Sequence, residues 1–359
     1  MVLRPDALSR HGGDVVQAEG TAKALRSMGV GVTLSAGESL ESADLVHVFN
    51  LQTPDWTLSM VRAAKSLGKP VALSPVYWSP RRLLLGAATQ LPFVLPRLPH
   101  AWREHPGAES GRQTAPLIPT GHRRAMQEVL RSSSVLLPNS EAEAEHLVAS
   151  FPELRKRRDA IHVVPNGVDV EAYDRSHGAA MDPGVPSLPD EFLLCVARID
   201  FRKNQLRLIR ASERLGLSLV CVGSPVGSSA WHRAYDSACR RAGRHVTFLG
   251  HVPQNRLWPL YARCAVHCLP SYFETPGLSN LEAALAGARL VTTPWGSTRE
   301  YLGDDAVYAD PGRISSISAA VERALASTPS SRLAERVREQ YSWPKTAEAT
   351  YRAYSALLS

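Results

Sequence analysis

The chain alternates short apolar segments with longer amphipathic ones, and it does so twice in succession. In the first half, strand-like segments at 44–51, 70–78 and 135–140 are separated by stretches with helical spacing of apolar residues. The second half repeats the alternation, with strand-like segments at 192–199, 217–223, 246–250, 265–271 and 288–294. Strands that alternate with helices pair in parallel. The sequence therefore predicts an α/β protein with two doubly wound sheets.

The first half contains one long interruption of this pattern. Before it come two short strand-like pieces at Val2–Leu3 and 30–34. Between these pieces lie a glycine pair, Gly12–Gly13, and a helical stretch at 15–27. After it, a helix is predicted to start at Ser140, because Glu143 completes a capping box three residues later. Residues 79–124 mix Pro, Arg and scattered apolar residues. We expect an irregular insertion beside the carboxyl ends of the strands, and its part Arg81–Arg103 suits either a packed structural piece or a contact with an anionic membrane.

A segment rich in Gly, Pro and Ser separates the two halves at 172–190 and is typical of a linker. The 359 residues provide for about two domains of ordinary size. We therefore predict a first domain over 1–171, a second over 191–342 and a final helical segment over 343–359.

Charge and cysteine content limit the kinds of ligand and metal site that the chain can have. The net charge is +7, and residues 201–250 hold nine Lys or Arg against two Asp or Glu. Such a local positive field suits nucleic acid, an anionic membrane or a phosphorylated small molecule, but it lacks the interleaved aromatic residues of nucleic-acid binders. The five cysteines have no metal-site spacing, and we interpret them as reduced and buried. With no secretory apolar core at the start, we expect a cytoplasmic chain.

Ligands of open α/β sheets bind beyond the carboxyl ends of the strands, so the loops leaving the strands are the places to search. The loop ARIDFRKN (197–204) carries Arg198, Arg202 and Lys203 just before a predicted helix. Cations there oppose the helix dipole unless an anion lies between them. A bound phosphate and a solvated basic turn fit this loop about equally well.

A second loop, SYFETPGLSNLEAALAG (271–287), combines glycine with two carboxylates. The backbone at Gly277 and Leu278 can approach a phosphate closely, and a carboxylate on the following helix can bind a ribose diol. Glu282 suits the diol, although Ser279 and Glu282 also form a capping box. Glu274 either points into the same crevice or is an exposed loop carboxylate.

The residues after two further strands are weaker candidates for ligand contacts. Gly12 and Gly13 follow the first strand, where a glycine pair is often only a tight turn. Tyr77 and Trp78 end the strand 70–78, where they stack on a sugar or belong to the core. No histidine spacing and no Asp-x-Asp motif indicates a metal site.

Together these motifs resemble a known family. ARIDFRKN, VTFLGHVP, SYFETPGLSNLEAALAG and TPWGSTREYLGDDAVYADP, in that order, resemble the carboxyl-terminal domain of retaining family-4 glycosyltransferases, the glycosyl transferases group 1, of the GT-B fold. LVHVF, VLLPNS and VVPNGVD resemble their amino-terminal domain. The resemblance implies two Rossmann-like domains facing across a cleft, with the helix around Trp343–Leu358 crossing back to the first domain.

The resemblance also implies an activity and a set of site residues. The activity is metal-independent, retaining transfer of a hexose-type sugar from a nucleoside-diphosphate sugar to the hydroxyl of a glycan, a lipid-linked acceptor or a small molecule, with no cofactor. In the family the incoming hydroxyl is thought to attack the face that the nucleotide leaves. The implied roles are catalysis for Arg198, Lys203 and Glu274; donor binding for these three with Gly13, Gly277, Leu278 and Glu282; and acceptor contacts for Gly12, Asn50, Tyr77 and Trp78.

Two departures and three alternatives stay open at this point. Val76, Tyr77 and Trp78 stand where the family usually has a histidine that contacts the donor sugar, and Pro276 replaces a common aromatic residue. A nucleotide-sugar epimerase, a phosphorylase and a catalytically silent binding subunit share the scaffold. No lysine is placed for the pyridoxal cofactor of a phosphorylase, and a silent copy need not keep Arg198, Lys203, Glu274 and Glu282. The base, the sugar, the acceptor, the linkage formed and the oligomeric state are not fixed by any motif.

Overall fold

A computed structural model describes the chain except for residues 6, 8–11, 39, 79, 100–119, 177–187, 228 and 359, and it leaves open the side chains of 80–83, 85 and 120. Within the described part, no helix is long and apolar enough to cross a membrane. The five cysteines are free and buried, as predicted.

The first sheet consists of three parallel strands in chain order. They are β1 (Val46–Phe49), β2 (Val71–Ser74) and β3 (Val135–Leu136). Val2 extends the sheet by isolated bridges to Val48 and Ser35. The strand predicted at 30–34 is therefore wrong, because the segment is partly exposed and the bridge to Val2 lies one residue beyond it, at Ser35.

Helices follow the predicted alternation in this half of the chain. They are α1 (Gly13–Ser27), α2 (Pro54–Ser66), α3 (Pro80–Val94), α4 (Thr120–Ser132), α5 (Glu141–Ser150) and α6 (Val170–Ser176). Ser140 caps α5, its hydroxyl accepting from the backbone N–H of Glu143 at 3.0 Å. The Glu143 carboxylate does not complete the capping box, because it accepts from the backbone N–H of Asn139 and Tyr77 instead.

The insertion departs from the expected irregular structure where it is described. Residues 80–94 form α3 although Pro92 lies inside the helix. Proline removes one backbone hydrogen bond, but the helix buries the apolar side chains of Ala87 and Val94, which stabilises it. Phe93 and Val94 pack into the core of the second domain, which disfavours the membrane contact for this part of the insertion. Residues 100–103 of the same segment lie outside the described residues.

The second sheet is parallel throughout, and its strand order reverses in the middle. Its strands are β4 (Leu193–Val196), β5 (Leu219–Val222), β6 (Val246–Gly250), β7 (Val266–Leu269), β8 (Leu290–Thr292) and β9 (Val307–Tyr308). They lie in the order β6-β5-β4-β7-β8-β9. The alternating helices are α7 (Gln205–Leu215), α8 (Ala230–Arg240), α9 (Trp258–Arg263), α10 (Leu278–Leu285), α11 (Thr298–Leu302), α12 (Ile314–Leu325) and α13 (Ser331–Gln340).

The last helix, α14 (Trp343–Leu358), packs on the first domain. The Tyr354 hydroxyl and His47 Nδ1 are hydrogen-bonded at 2.6 Å, and Thr346 Oγ1 donates to the carbonyl of Pro165 at 2.8 Å. Tyr351, on the same helix, is 46% exposed.

A second contact between the domains lies at the start of α5. The Glu300 carboxylate accepts from the backbone N–H groups of Glu141 and Ala142, each at 2.9 Å, and so supplies the negative charge that a helix amino terminus favours. The hydroxyls of Ser140 and Ser297 are hydrogen-bonded at 2.6 Å. These hydrogen bonds hold the two domains together beside the cleft.

Candidate functional site

The reversal of strand order in the second sheet decides where a ligand fits. β4 and β7 are neighbours, but β4 is followed by β5 on one side of the pair, whereas β7 is followed by β8 on the other. This leaves a crevice between the two loops that follow their carboxyl ends. The loop after β4 spans 197–204, and the loop after β7 spans 270–277. The backbone N–H of Tyr272 donates to the carbonyl of Arg202 at 2.9 Å and joins the two loops.

A cleft of about 1020 Å³ opens from this crevice towards the first domain. Its size suits a nucleotide-sized ligand. Ten of the eleven residues given a catalytic, donor or acceptor role from the sequence line it: Gly12, Gly13, Asn50, Trp78, Arg198, Lys203, Glu274, Gly277, Leu278 and Glu282. The structure thus brings together residues that lie up to 270 positions apart in the chain.

Lys203 and Glu274 form an ion pair across the two loops. Lys203 Nζ donates to Glu274 Oε1 at 2.7 Å, and the Glu274 side chain is 4% exposed. Glu274 is therefore a buried, paired carboxylate rather than an exposed loop residue. Each partner keeps polar atoms free to contact a ligand, since an ammonium has three donors and a carboxylate two acceptor oxygens.

Arg202 and Arg198 have different environments although both come from the loop 197–204. The Arg202 guanidinium binds Asp200 through Nε and Nη2. Burial alone would raise the pKa of Asp200, but the charge and hydrogen bonds of Arg202 hold it at about 2. Arg202 is thus committed to the loop's own structure.

Arg198 is the more available cation of the two. Burial, together with the nearby charge of Arg202, lowers its pKa. Among the described residues, no carboxylate lies within salt-bridge distance of its guanidinium. A Cβ built on Gly12 would stand 3.7 Å from Arg198 Nη1, so this cation faces the first domain across the cleft. An anion between the domains would meet it directly.

Glu282 lies inside α10 and faces the cleft. The Tyr261 hydroxyl donates to its Oε2 at 2.7 Å, and burial raises the pKa of Glu282 despite hydrogen bonds from Tyr261 and Gln254. The capping-box alternative is wrong. Gly277 is the N-cap with a φ of 79°, so Ser279 lies within the helix and caps nothing.

The first domain contributes the amino terminus of α1 and the polar group that follows β1. Gly12 precedes the helix, and a Cβ there would stand 2.6 Å from Asp14 Oδ1. Asn50 Nδ2 and Arg4 Nε both donate to Asp14 Oδ2 at 3.0 Å. Asp14 was missed in the sequence because a carboxylate in the first turn of a helix is ordinary there.

Tyr77 does not line the cleft, which corrects its assignment to the acceptor side. Val76, directly before it, has a φ of 46°, in the left-handed region. Tyr77 packs in the core against Phe151 and His146. Trp78 faces the cleft, and the Arg202 guanidinium lies 5.6 Å from its ring centroid.

Other lining residues were not predicted. Asn166, His251, Gln254 and Trp343 belong to this group. Asn166 stands in the PNGVD segment, so that motif offered a signal that was not used. Among the described residues no group of three His, Cys, Asp or Glu side chains is arranged to hold a metal ion.

Part of the chain matches a family of known proteins. Residues 182–340 match the family described as glycosyl transferases group 1. A D-inositol 3-phosphate glycosyltransferase of Kribbella flavida is 29% identical over 247 residues, which cover 64% of this chain and 58% of the relative. A glycogen synthase of Mycobacterium tuberculosis is 31% identical over 208 residues, 55% of this chain and 48% of that relative. The chain thus spans about half the length of these curated relatives.

Solved structures match nearly the whole chain. Anabaena HepE in complex with UDP and glucose has a TM-score of 0.67 and 16% identity, and the match covers 97% of each chain. A sucrose-phosphate synthase from Thermosynechococcus elongatus has a TM-score of 0.64 and 17% identity, and the match covers 96% of this chain and 94% of that one. At these identities the likeness concerns the fold, and it confirms the GT-B architecture predicted from the sequence.

Proposed function

Since residues 182–340 match the family described as glycosyl transferases group 1, we propose that the chain transfers a sugar from a nucleoside-diphosphate sugar to a hydroxyl acceptor, with retention and without a metal ion. HepE, which shares the fold, has been solved with UDP, with UDP-glucose and with UDP and glucose. A uridine nucleotide is therefore the first donor to test. The acceptor is a glycan, a lipid-linked molecule or a small molecule, and nucleic acid is not a partner.

The observation that carries this proposal is the position of Lys203, Arg198 and the start of α10 around one crevice at the strand reversal. A nucleoside diphosphate leaves with nearly two negative charges, so cations placed beforehand stabilise the transition state more than the ground state. Lys203 and Arg198 supply those charges. The backbone N–H groups of Gly277 and Leu278, at the amino terminus of an eight-residue helix, add donors for sugar and phosphate.

The carboxylates have separate roles in this proposal. Glu282 accepts hydrogen bonds from the ribose diol, and Glu274 accepts them from hydroxyls of the donor sugar while Lys203 holds it in place. The incoming hydroxyl attacks the face that the nucleotide leaves, and a donor phosphate oxygen takes its proton. No side-chain nucleophile is required. Gly12, Asn50 and Trp78 form the acceptor side.

A thermal-shift screen with UDP, GDP, ADP and the corresponding glucose esters tests the donor. A ligand present at a hundred times its dissociation constant stabilises the fold by about 2.7 kcal/mol, which is readily measured as a rise in Tm. We expect one base to raise the Tm and the other two to leave it unchanged. No shift with any nucleotide would contradict the proposal. Binding without turnover, over a panel of acceptors, would indicate a silent binding subunit instead.

Glu282→Gln tests the ribose contact, with Glu274→Gln as its matched control. The amide keeps one oxygen for the Tyr261 hydroxyl but loses the second acceptor for the diol, so we expect affinity for nucleoside and nucleotide to fall together, by about tenfold. Glu274→Gln should impair sugar transfer and leave UDP affinity within about threefold. Isothermal titration with uridine and UDP measures both. If Glu282→Gln lowers only the Tm, the residue is structural and the ribose assignment is wrong.

A further inference from the structure

Helix α3 belongs to the first domain by chain order but packs on the second. It lies in the connection between β2 and β3, two neighbouring strands of the first sheet. Its carboxyl-terminal half nevertheless contacts the second domain: Val94 lies in that domain's core, and the Arg210 guanidinium lies 4.0 Å from the centroid of the Phe93 ring. α3 therefore reaches across to the domain that holds the predicted donor loops.

Gln90 is the polar residue at the centre of this contact, and it is fully buried. Its Nε2 donates to the carbonyl of Phe201 at 3.1 Å and lies 3.4 Å from Asn204 Oδ1, both in the loop after β4. The same nitrogen donates to the Tyr272 hydroxyl, in the loop after β7, at 3.2 Å. One amide group thus contacts both loops of the crevice.

The orientation of this amide follows from its partners. The Phe201 carbonyl and Asn204 Oδ1 can only accept from Gln90, so the nitrogen must face them. Asn204 continues the connection, because its Nδ2 donates to the carbonyl of Pro270 at 3.0 Å, where the second loop begins.

Neighbouring residues of α3 and α7 fix the same tyrosine. Arg207 donates to the Tyr272 hydroxyl through Nη1 and to the carbonyl of Thr89 through Nη2, the latter at 3.1 Å. Gly86 provides the space for the ring, since a Cβ there would stand 2.6 Å from Tyr272. Tyr272 precedes Glu274 by two residues, and Phe201 precedes Lys203 by two.

We propose that Gln90 is a positioning residue for the donor half of the cleft: its side-chain amide ties together the loops that carry Lys203 and Glu274. The ion pair of those two residues is set by a helix of the opposite domain. Docking of α3 therefore makes the donor site complete. The catalytic consequence rests on the proposed function, whereas the structural link can be measured without any ligand.

Hydrogen exchange in the full-length chain tests the link directly. Gln90→Met keeps the length of the side chain and removes every hydrogen bond, so the backbone N–H of Tyr272, which bridges the loops to Arg202, should exchange about tenfold faster. Amides of β5 should exchange unchanged. Ala88→Gln, at an exposed position of the same helix, is the matched control and should alter neither loop.

A second variant distinguishes the loss of particular hydrogen bonds from a general loss of stability. Gln90→Glu keeps an acceptor for the Tyr272 hydroxyl and loses the donors to Phe201 and Asn204, so faster exchange should be confined to the amides of Lys203 and Asn204. Unchanged exchange of both loops in Gln90→Met, or equal changes in Ala88→Gln, would overturn the inference.

Turnover of UDP-glucose separates this inference from the proposed function. In Gln90→Met we expect kcat to fall about tenfold, while uridine affinity stays within about twofold because Glu282 is not tied to Gln90. A merely structural role would lower both in proportion to stability. If the native chain binds no nucleotide, the proposed function fails, and the exchange rates still decide whether Gln90 holds the loops.

Discussion

Replacing Lys203 with alanine should lower sugar transfer by about 2–4 kcal/mol of transition-state stabilisation, roughly 30- to 900-fold in kcat/KM. The ammonium lies 2.7 Å from Glu274 and faces the crevice where the leaving diphosphate gains charge. Its contribution is largest when that charge has developed. Affinity for the free nucleoside should change much less than turnover. Steady-state kinetics together with titration of uridine measure the two quantities.

Part of that loss would come from Glu274, whose buried carboxylate is left without its partner. Lys345→Ala is the matched control, since Lys345 forms an exposed ion pair with Glu348 on α14, outside the cleft. It should leave transfer and stability nearly unchanged. Lys203→Ala that retains transfer within about threefold would contradict the proposed role of the ammonium.

Gly296→Ala should reduce transfer about a hundredfold without a comparable loss of nucleoside binding. Gly296 has a φ of 99°, and a Cβ there would stand 1.9 Å from the carbonyl oxygen of Glu274. The two residues form a bridge in which the Glu274 N–H donates to the Trp295 carbonyl at 3.1 Å and the Ser297 N–H donates to the Glu274 carbonyl at 2.9 Å. The added methyl group must push the Glu274 backbone away, which separates its carboxylate from Lys203.

Gly216→Ala is the control for this variant. Gly216 ends α7 with a φ of 68°, and nothing lies within 4 Å of a Cβ built there. Both substitutions strain the backbone at a cost of about 1 kcal/mol, but only Gly296→Ala displaces a site residue. Thermal unfolding and kcat/KM of the two variants make the comparison. Equal losses of transfer in both would show that steric displacement of Glu274 is not the cause.

Strand patterns predicted most of both sheets because most strands are buried on both faces and read as continuous apolar runs, whereas the edge strand β6 is half-buried. The strands that the sequence did not predict are very short. β9 has two residues, and the pairing around Val2 and Ser35 consists of single bridges, so neither produces a pattern that stands out from its surroundings. The position of Arg198, Lys203, Glu274 and Glu282 was predictable for a related reason, since parallel strands deliver the loops after their carboxyl ends to one edge of the sheet.

The start of α10 could not be predicted from the local sequence. Ser279 and Glu282 satisfy the spacing of a capping box, yet the left-handed backbone of Gly277 starts the helix earlier. Tyr77 and Trp78 are similar, because adjacent aromatic residues at a strand end are equivalent in sequence, whereas the fold places Tyr77 in the core and Trp78 in the cleft.

The sequence by itself determined the two parallel sheets and the loops that carry the charged residues, because periodicity and strand direction are local properties of the chain. Only the tertiary structure decided that Arg202 is committed to Asp200 while Arg198 faces the first domain, and that α3 docks on the opposite domain through Gln90. Those outcomes depend on contacts between residues more than a hundred positions apart or on the competition of neighbouring charges for one partner. Their free energies are set by burial and geometry, which no local pattern records.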